Sequence, residues 1–433
     1  MTDFNQALDF LYNSLPVFQH KGAGAYKPGL ETATRLSRAF GNPHSRYKTI
    51  HVAGTNGKGS VSHSLAAILQ SAGYKVGLYT SPHLVDFRER IRVNGKMISK
   101  SAVVDFVNRY QAGDFGLEPS FFELTMVMAF EYFAREAVDV AVIEVGLGGR
   151  LDSTNIIRPE LSIITNISKD HTAFLGDTLE LIAAEKAGII KPGIPVVVGE
   201  ASGGVKKVFE DKARQEGTTI VFAEEYRPLI SYSRHSDGLR FVTSGHGELT
   251  GQLSGDCQVR NMATILTAVD SLQQLGFDIT DDAIARGVGA VCELTGLMGR
   301  WMKISNAPLT ICDTGHNEGG WQYIARHLAS YNGHKHVIIG FVSDKDISSI
   351  LPMLSGIEDV TFYFTRPSVE RAMPAETLAR KAADFGLKGD VSDTVSDAYK
   401  KALGNAKGND MIFVGGSTFV VADFLAEWFS GQR

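Results

Sequence analysis

Short apolar runs of strand length recur along this chain, each followed by a segment with helical spacing. Thr49–Ala53 is the first clear run, and a glycine-rich turn follows it. Val61, Leu65, Ile68 and Leu69 then line one helix face, and Gly73 marks a stop. Val76–Tyr79, Val138–Val145, Leu161–Asn166 and Pro195–Val198 read as further strands. Strands alternating with helices predict a mostly parallel sheet covered on both faces. From about 200 to 255 the rhythm changes to short β-rich pieces, Thr219–Phe222 and Leu239–Thr243, read as an antiparallel addition to the sheet edge. A helix carrying Met262, Ile265, Leu266 and Val269 follows.

The pattern breaks near Thr295–Gly299 and restarts. Leu309–Cys312, Val337–Phe341, Val360–Phe364 and Met411–Val414 predict strands with helices between them, and Phe419–Phe429 a closing helix. This divides the chain into an α/β domain at 1–296 and a smaller α/β domain at 297–433. Met1–Phe18 has the pattern of an amphipathic helix. It lacks the basic region and apolar core of a signal peptide.

Composition narrows the function class. Hydrophobic residues are 44% and charged residues 21%, which excludes disorder and fibrous classes. A net charge of −5 argues against a general nucleic-acid binder. Three scattered cysteines, Cys257, Cys292 and Cys312, suit neither a disulfide framework nor a zinc knuckle. With apolar stretches too short to span a bilayer, the expectation is a cytoplasmic protein with no membrane partner.

The strongest chemical signal is strand, then Gly54-Thr55-Asn56-Gly57-Lys58-Gly59-Ser60, then helix. Backbone N–H groups in such a loop bind phosphate oxygens, assisted by the helix N-terminus. Lys58 would reach the outer phosphates and Ser60 would ligate Mg²⁺. The spacing departs from the usual P-loop, since Val52 stands where the first glycine is expected and Gly59 separates Lys58 from the hydroxyl. A plain Gly-rich turn is the alternative, disfavoured by the flanking strand and helix. Glu144 ends the apolar run Val140–Ile143, where an NTPase needs a carboxylate for metal. Gly146-Leu147-Gly148-Gly149 lacks the spacing of a dinucleotide fingerprint and reads as close backbone approach to substrate.

Gly54–Ser60 is similar to the loop of the Mur ligase superfamily, ATP-dependent enzymes that join an amino acid to a carboxylate. Thr80–Leu84, Glu144–Asp152, Asp170–Thr172, Glu185–Gly188 and Asp313–Asn317, in this order, resemble the folylpolyglutamate synthase/dihydrofolate synthase family over about residues 20–425. The resemblance implies a P-loop parallel-sheet ATPase domain followed by a Rossmann-like domain, with ATP sandwiched between them. It implies two Mg²⁺ ions, with Ser60, Glu144, His171 and Lys186 as ligands and Lys186 carbamylated. It places Thr55, Asn56, Gly57, Lys58, Gly59, Ser60, Asn261, Arg300 and Asp313 on ATP, and His316 and Ser417 on the incoming glutamate. Gly29, Ser81, His83, Phe121, Phe122, Leu151, Asp152 and Ser153 would form the pterin and folate pocket, with Tyr26–Glu31 as a substrate loop. Lys58, Lys186 and His316 are the expected catalytic residues.

Two departures bear on the loop shape: Gly315-His316-Asn317-Glu318 replaces the family's Ala-His-Asn-Pro, and Trp301 stands where Phe-Gln is common. Arg88, Arg90, Arg92 and Lys96 could attract polyglutamate, although most read as a solvated face.

The expected reaction is ATP-dependent addition of L-glutamate to dihydropteroate and to reduced folates through an acyl phosphate, by a bifunctional monomer. Two rivals stay open here: a peptidoglycan Mur ligase, and an ATPase switch that does not ligate.

Overall fold

A computed structural model describes residues 3–15, 29–235 and 238–431. Tyr26–Pro28 of the expected substrate loop, and the stretch Gly22–Ala25 before it, lie outside the described residues. The chain divides into two compact units. The first comprises Met1–His83, Phe87–Gln252 and Gln258–Leu297; the second comprises Leu84–Asp86, Leu253–Cys257 and Met298–Arg433.

In the first unit the strands are β1 (Lys48–Ala53), β2 (Val76–Tyr79), β3 (Ile91–Val93), β4 (Lys96–Met97), β5 (Val140–Glu144), β6 (Leu161–Ile164), β7 (Val196–Val198) and β8 (Ile220–Phe222). They form one sheet in the order β4-β3-β2-β5-β1-β6-β7-β8. From β2 to β8 the pairs are parallel; β3 and β4 add an antiparallel margin. The strand order reverses at β1, between β5 and β6. Ligands bind at such a switch point, outside the carboxyl ends of the strands.

The strands run buried end to end because helices cover both faces. On one face Ile50, Val52, Val140, Val142, Leu161 and Ile163 pack with Leu65 and Ile68 of helix Lys58–Ser71 and with Ile265 and Val269 of helix Cys257–Gln274. On the other, Tyr79, Ala141 and Ile143 pack with Val127 and Phe130 of helix Phe121–Arg135.

The expected antiparallel addition is corrected in two ways. Ile220–Phe222 is itself a parallel edge strand, paired to β7. A short apolar run carries no periodicity that distinguishes the two pairings. The antiparallel strands β9 (Leu229–His235), β10 (Gly238–Thr243) and β11 (Glu248–Gly251) form their own three-stranded sheet, in the order β11-β10-β9. Leu239, Phe241 and Leu249 join it to the helical face of the main core. At the start of the chain the helix spans Phe4–Asn13, capped by Asp3 and Gln6 in a reciprocal box.

The second unit is a six-stranded sheet of β12 (Met302–Asn306), β13 (Leu309–Cys312), β14 (Lys335–Ile339), β15 (Val360–Phe364), β16 (Gly389–Val391) and β17 (Met411–Gly415). Its order is β12-β13-β17-β14-β15-β16, parallel apart from β12. Helix Glu318–Ala329 and helix Thr418–Ser430 lie against opposite faces, through Trp321 and Leu328 on one and Val421 and Phe424 on the other.

Candidate functional site

The turn after β1 is held from several sides. Gly54 has φ +143°, and a Cβ there would stand 1.9 Å from Thr165 Oγ1. Gly57 has φ +84°, and a Cβ would stand 2.3 Å from Asn261 Oδ1. Only glycine suits both the backbone and the space. The Thr55 N–H donates to Asn166 O at 2.9 Å, and the Asn56 N–H to Asn166 Oδ1 at 3.0 Å. The Thr55 hydroxyl donates to Ser168 O, and Asn56 Nδ2 to Ser168 Oγ. Lys58 Nζ reaches back to the carbonyls of Gly54 and Thr55, both at 3.0 Å. The first-turn N–H groups of helix Lys58–Ser71 have no partner within the helix by construction. Gly59 and Ser60 are buried there, and Ser60 Oγ accepts from Gln258 Nε2 at 3.3 Å. Asn261 donates to Gln258 Oε1 and stands against Gly57, so it supports the loop from behind.

Thr165, Asn166 and Ser168 are site residues that the sequence reading missed. Their signal was a polar run directly after a fully buried parallel strand, at the carboxyl edge where ligands bind.

Glu144 ends β5 level with Val52 of β1, beside the loop. It is 4% exposed, and its Oε2 accepts the Ser81 N–H at 3.1 Å. Asp152 organises the neighbouring turn: it accepts the Leu147 N–H at 2.8 Å and the Thr154 N–H at 3.0 Å. Burial pushes its carboxyl up, and these bonds oppose the shift. Ser153 opens the short 3-10 turn that follows, and Leu151 is half-buried.

Two glycines of the Gly146–Gly149 turn lie close against the protein itself. A Cβ on Gly146 would meet Phe122 Cζ at 2.5 Å, and one on Gly149 would meet Glu185 O at 2.9 Å and Lys186 Cα at 3.0 Å. The turn is thus packed onto helix Leu179–Ala187.

Lys186, on that helix, is 4% exposed. Burial first and the charge of Lys58 second bring its amine down to about 7, against the pull of Asp170 and Asp152. His171 sits at φ +50° just before helix Thr172–Leu175, its N–H on Asp170 Oδ1 at 2.8 Å and its side chain a third exposed. Among the described residues no three His, Cys, Asp or Glu side chains form a metal cage. The expected donors are one carboxylate, one hydroxyl and one imidazole, with a buried lysine whose amine is easily made neutral. The carboxylate and the hydroxyl are oxygen donors, the class that Mg²⁺ takes together with waters and phosphate oxygens, whereas the imidazole is a nitrogen donor.

On the pocket side, Phe121 is 4% exposed and already stacked: Tyr12 lies 5.3 Å away at 19°, and the Arg90 guanidinium lies 5.1 Å over the ring. Phe122 remains half-buried over Gly146. Arg90 Nε donates to His83 Nδ1 at 2.7 Å, and His83 Nε2 meets the Tyr12 hydroxyl at 3.1 Å. Gly29 has φ +126°, with nothing within 4 Å of its Cβ position among the described residues. The basic run is not a solvated face at its centre: Arg90 is 3% exposed and Arg92 7%, the latter donating to Gly95 O at 3.0 Å.

Arg300, Asp313, His316 and Ser417 belong to the second unit. Asp313 follows β13 and accepts the Trp301 N–H and the Gly315 N–H, each at 2.7 Å. Its desolvated surroundings push its carboxyl up, against the charge of Arg300. Arg300 donates to Gly299 O at 3.2 Å and to the Thr314 hydroxyl. His316 Nδ1 lies 3.1 Å from Thr314 O. Ser417 is buried and caps helix Thr418–Ser430, its Oγ accepting the Val420 N–H. Asn317 caps helix Glu318–Ala329, so the Gly315–Glu318 departure still builds a helix start. Trp301, at φ +46°, packs 4.4 Å from His327.

The Mur ligase middle domain matches residues 52–269, and the Mur ligase glutamate ligase domain matches residues 299–418. The dihydrofolate synthase/folylpolyglutamate synthase of Escherichia coli is 32% identical over 399 residues, covering 92% of this chain and 90% of that one. The structure of E. coli FolC in complex with DHPP and ADP superposes with a TM-score of 0.85 at 31% identity, over 100% of this chain and 99% of that one. A bifunctional folylpolyglutamate synthase/dihydrofolate synthase with Mn, AMPPNP and L-glutamate bound gives 0.82 at 30% identity, over 99% and 98%. A Halobacterium salinarum relative, a probable bifunctional folylpolyglutamate synthase/dihydropteroate synthase, is 33% identical, and the chain spans 50% of its length. The chain therefore belongs to the dihydrofolate synthase/folylpolyglutamate synthase family of Mur ligases, ATP-dependent enzymes that join an amino acid to a carboxylate.

Proposed function

We propose that this chain adds L-glutamate to dihydropteroate and also to reduced folates, acting as a monomer in the cytoplasm. The observation that carries the reading is the loop Gly54–Ser60 set beside Glu144 and backed by Asn261, at the carboxyl edge of a parallel sheet. The acid's carboxylate attacks the γ-phosphorus of ATP; the bond to the bridging oxygen breaks, and ADP leaves. The glutamate amine then adds to the acyl phosphate carbonyl, loses a proton and expels phosphate.

Within this scheme Thr55, Asn56, Gly57 and Gly59 present the loop that cradles the phosphates. Lys58 turns from the Gly54 and Thr55 carbonyls toward the outer phosphates and offsets charge as it builds on the γ-phosphoryl oxygens. Ser60, Glu144, His171 and a carbamylated Lys186 would hold two Mg²⁺ ions. When bound, these supply positive charge to the phosphoryl oxygens. A lysine whose amine titrates near 7 is neutral often enough to add CO₂. Arg300 and Asp313 are assigned to ATP, and His316 and Ser417 to the glutamate. Gly29, Ser81, His83, Phe122, Leu151, Asp152 and Ser153 are assigned to the pterin side. Phe121 is assigned there as support, since Tyr12 and Arg90 already occupy its faces.

The test offers dihydropteroate and tetrahydrofolate in separate incubations with ATP, Mg²⁺ and glutamate, with products read by mass spectrometry. Glutamylated product from both acids is expected. Phosphate release indifferent to both acid and glutamate would replace the ligase with an ATPase switch. Lys58→Ala should lower turnover by about a hundredfold or more, with an unchanged circular dichroism spectrum.

A further inference from the structure

Tyr79 closes β2, the strand between β5 and the antiparallel margin, and stands in register with Ile143, one residue before Glu144. Its side chain is fully buried. Its ring lies 5.9 Å from the ring of Phe122, within the buried cluster that also holds Ile143, Phe87 and Phe121. The hydroxyl has no hydrogen-bond partner among the described residues. A buried phenol left unpaired lowers stability, and such a group in a folded protein calls for an explanation.

The surroundings supply one. Arg90, Asp152 and Glu144 are the charged groups that act on this hydroxyl. Asp152 spends its oxygens on Leu147 and Thr154, and Glu144 takes the Ser81 N–H. Burial pushes the phenol's ionisation well above its ordinary range, so the group stays an O–H donor at every working pH. The Thr80–Leu84 turn and the half-buried Phe122, both assigned to the organic acid, begin immediately beyond it. A fixed, dry, uncommitted donor among these groups suits an anionic oxygen, and the buried guanidinium of Arg90 favours the same charge.

We propose that the Tyr79 hydroxyl binds the organic acid substrate, donating a hydrogen bond to an oxygen of its reacting carboxylate. Tyr79 thereby joins the acid subsite as a residue that fixes the orientation of the attacking group. The inference rests on the ligase reading, deepens it, and can fail separately from it.

Tyr79→Phe removes one oxygen and leaves the ring. Because the oxygen lost is unpaired in the free protein, the melting temperature of the variant without ligands should equal or exceed that of the parent. Its kcat/KM for dihydropteroate and for tetrahydrofolate should fall roughly ten- to hundredfold, the span of one hydrogen bond to a charged acceptor. KM for ATP and KM for glutamate should stay within about twofold, and the rise in melting temperature caused by dihydropteroate should shrink. Unchanged kcat/KM for both acids overturns the proposal. A lower melting temperature with a uniform loss of kcat also overturns it, because that pattern belongs to a scaffold tyrosine. Should the parent ligate neither acid, the ligase reading falls. The dihydropteroate-induced shift in melting temperature still decides on Tyr79, and an equal shift in both proteins, or none in the parent, refutes its role.

Discussion

At Lys186, burial acts with the Lys58 charge to make the neutral amine easy to reach, and two carboxylates do not reverse the effect. The unfolded chain would hold this proton up to about pH 10.4, whereas the folded chain releases it near 7. Between those values the unfolded state binds more protons, so this residue's contribution to stability rises with pH across the window and is flat below it. Lys186→Met should flatten that part of a urea-midpoint profile taken from pH 7 to 10. The same titration bears on modification: ¹³C-bicarbonate should give a carbamate carbon signal in the parent with nucleotide and Mg²⁺, and none in Lys186→Met. At Gly57 the outcome is steric. Gly57→Ala combines φ +84° with a contact to Asn261 at 2.3 Å, and should cost about 1–3 kcal/mol and abolish ADP binding in calorimetric titration.

The loop glycines and Lys58 were legible because their spacing between strand and helix is itself the chemistry. Thr165 and Asn166 were not, since only the β1–β6 pairing brings them to the loop. Arg90 and Arg92 misled because a run of arginines reads as solvated until a core closes over it.

Helix Phe121–Arg135 carries Phe121 and Phe122 in its first turn, and its start is fixed by Ser120 and Glu123 bonding each other's backbone N–H. Ser120→Ala should cost about 1 kcal/mol, read as a lower urea midpoint. Because the fraying turn holds the ring over Gly146, KM for the organic acid should rise more than KM for ATP. The element pattern of the parallel sheets was read from apolar runs that burial on both faces makes continuous. The region after residue 200 resisted this. Ile220–Phe222 differs from the antiparallel strands only in its partner, β7, and a three-residue run says nothing of partners. Likewise β12, half-exposed and irregular against β13, offered only Met302 and Ile304 as alternating apolar positions, too short a run to read.

For the whole molecule, ligands report on the site through global stability. ADP with Mg²⁺ at about a hundred times its dissociation constant should add about 2.7 kcal/mol, seen as a higher melting temperature. Lys58→Ala should remove most of that gain. A sedimentation coefficient expected for 46.9 kDa checks the monomer. The two-unit division shows in the chain as a break in rhythm near Thr295. The small segments Leu84–Asp86 and Leu253–Cys257, which group with the second unit, lie far from that break and no local pattern marks them.

The turn after β1 is fastened by Thr165, Asn166, Ser168 and Asn261 before any nucleotide contributes a bond. A receptor assembled in advance has little disorder left to surrender. Nucleotide capture should therefore register as heat released with a small entropic penalty, and its on-rate should approach that of simple collision, with no slow rearrangement gating it.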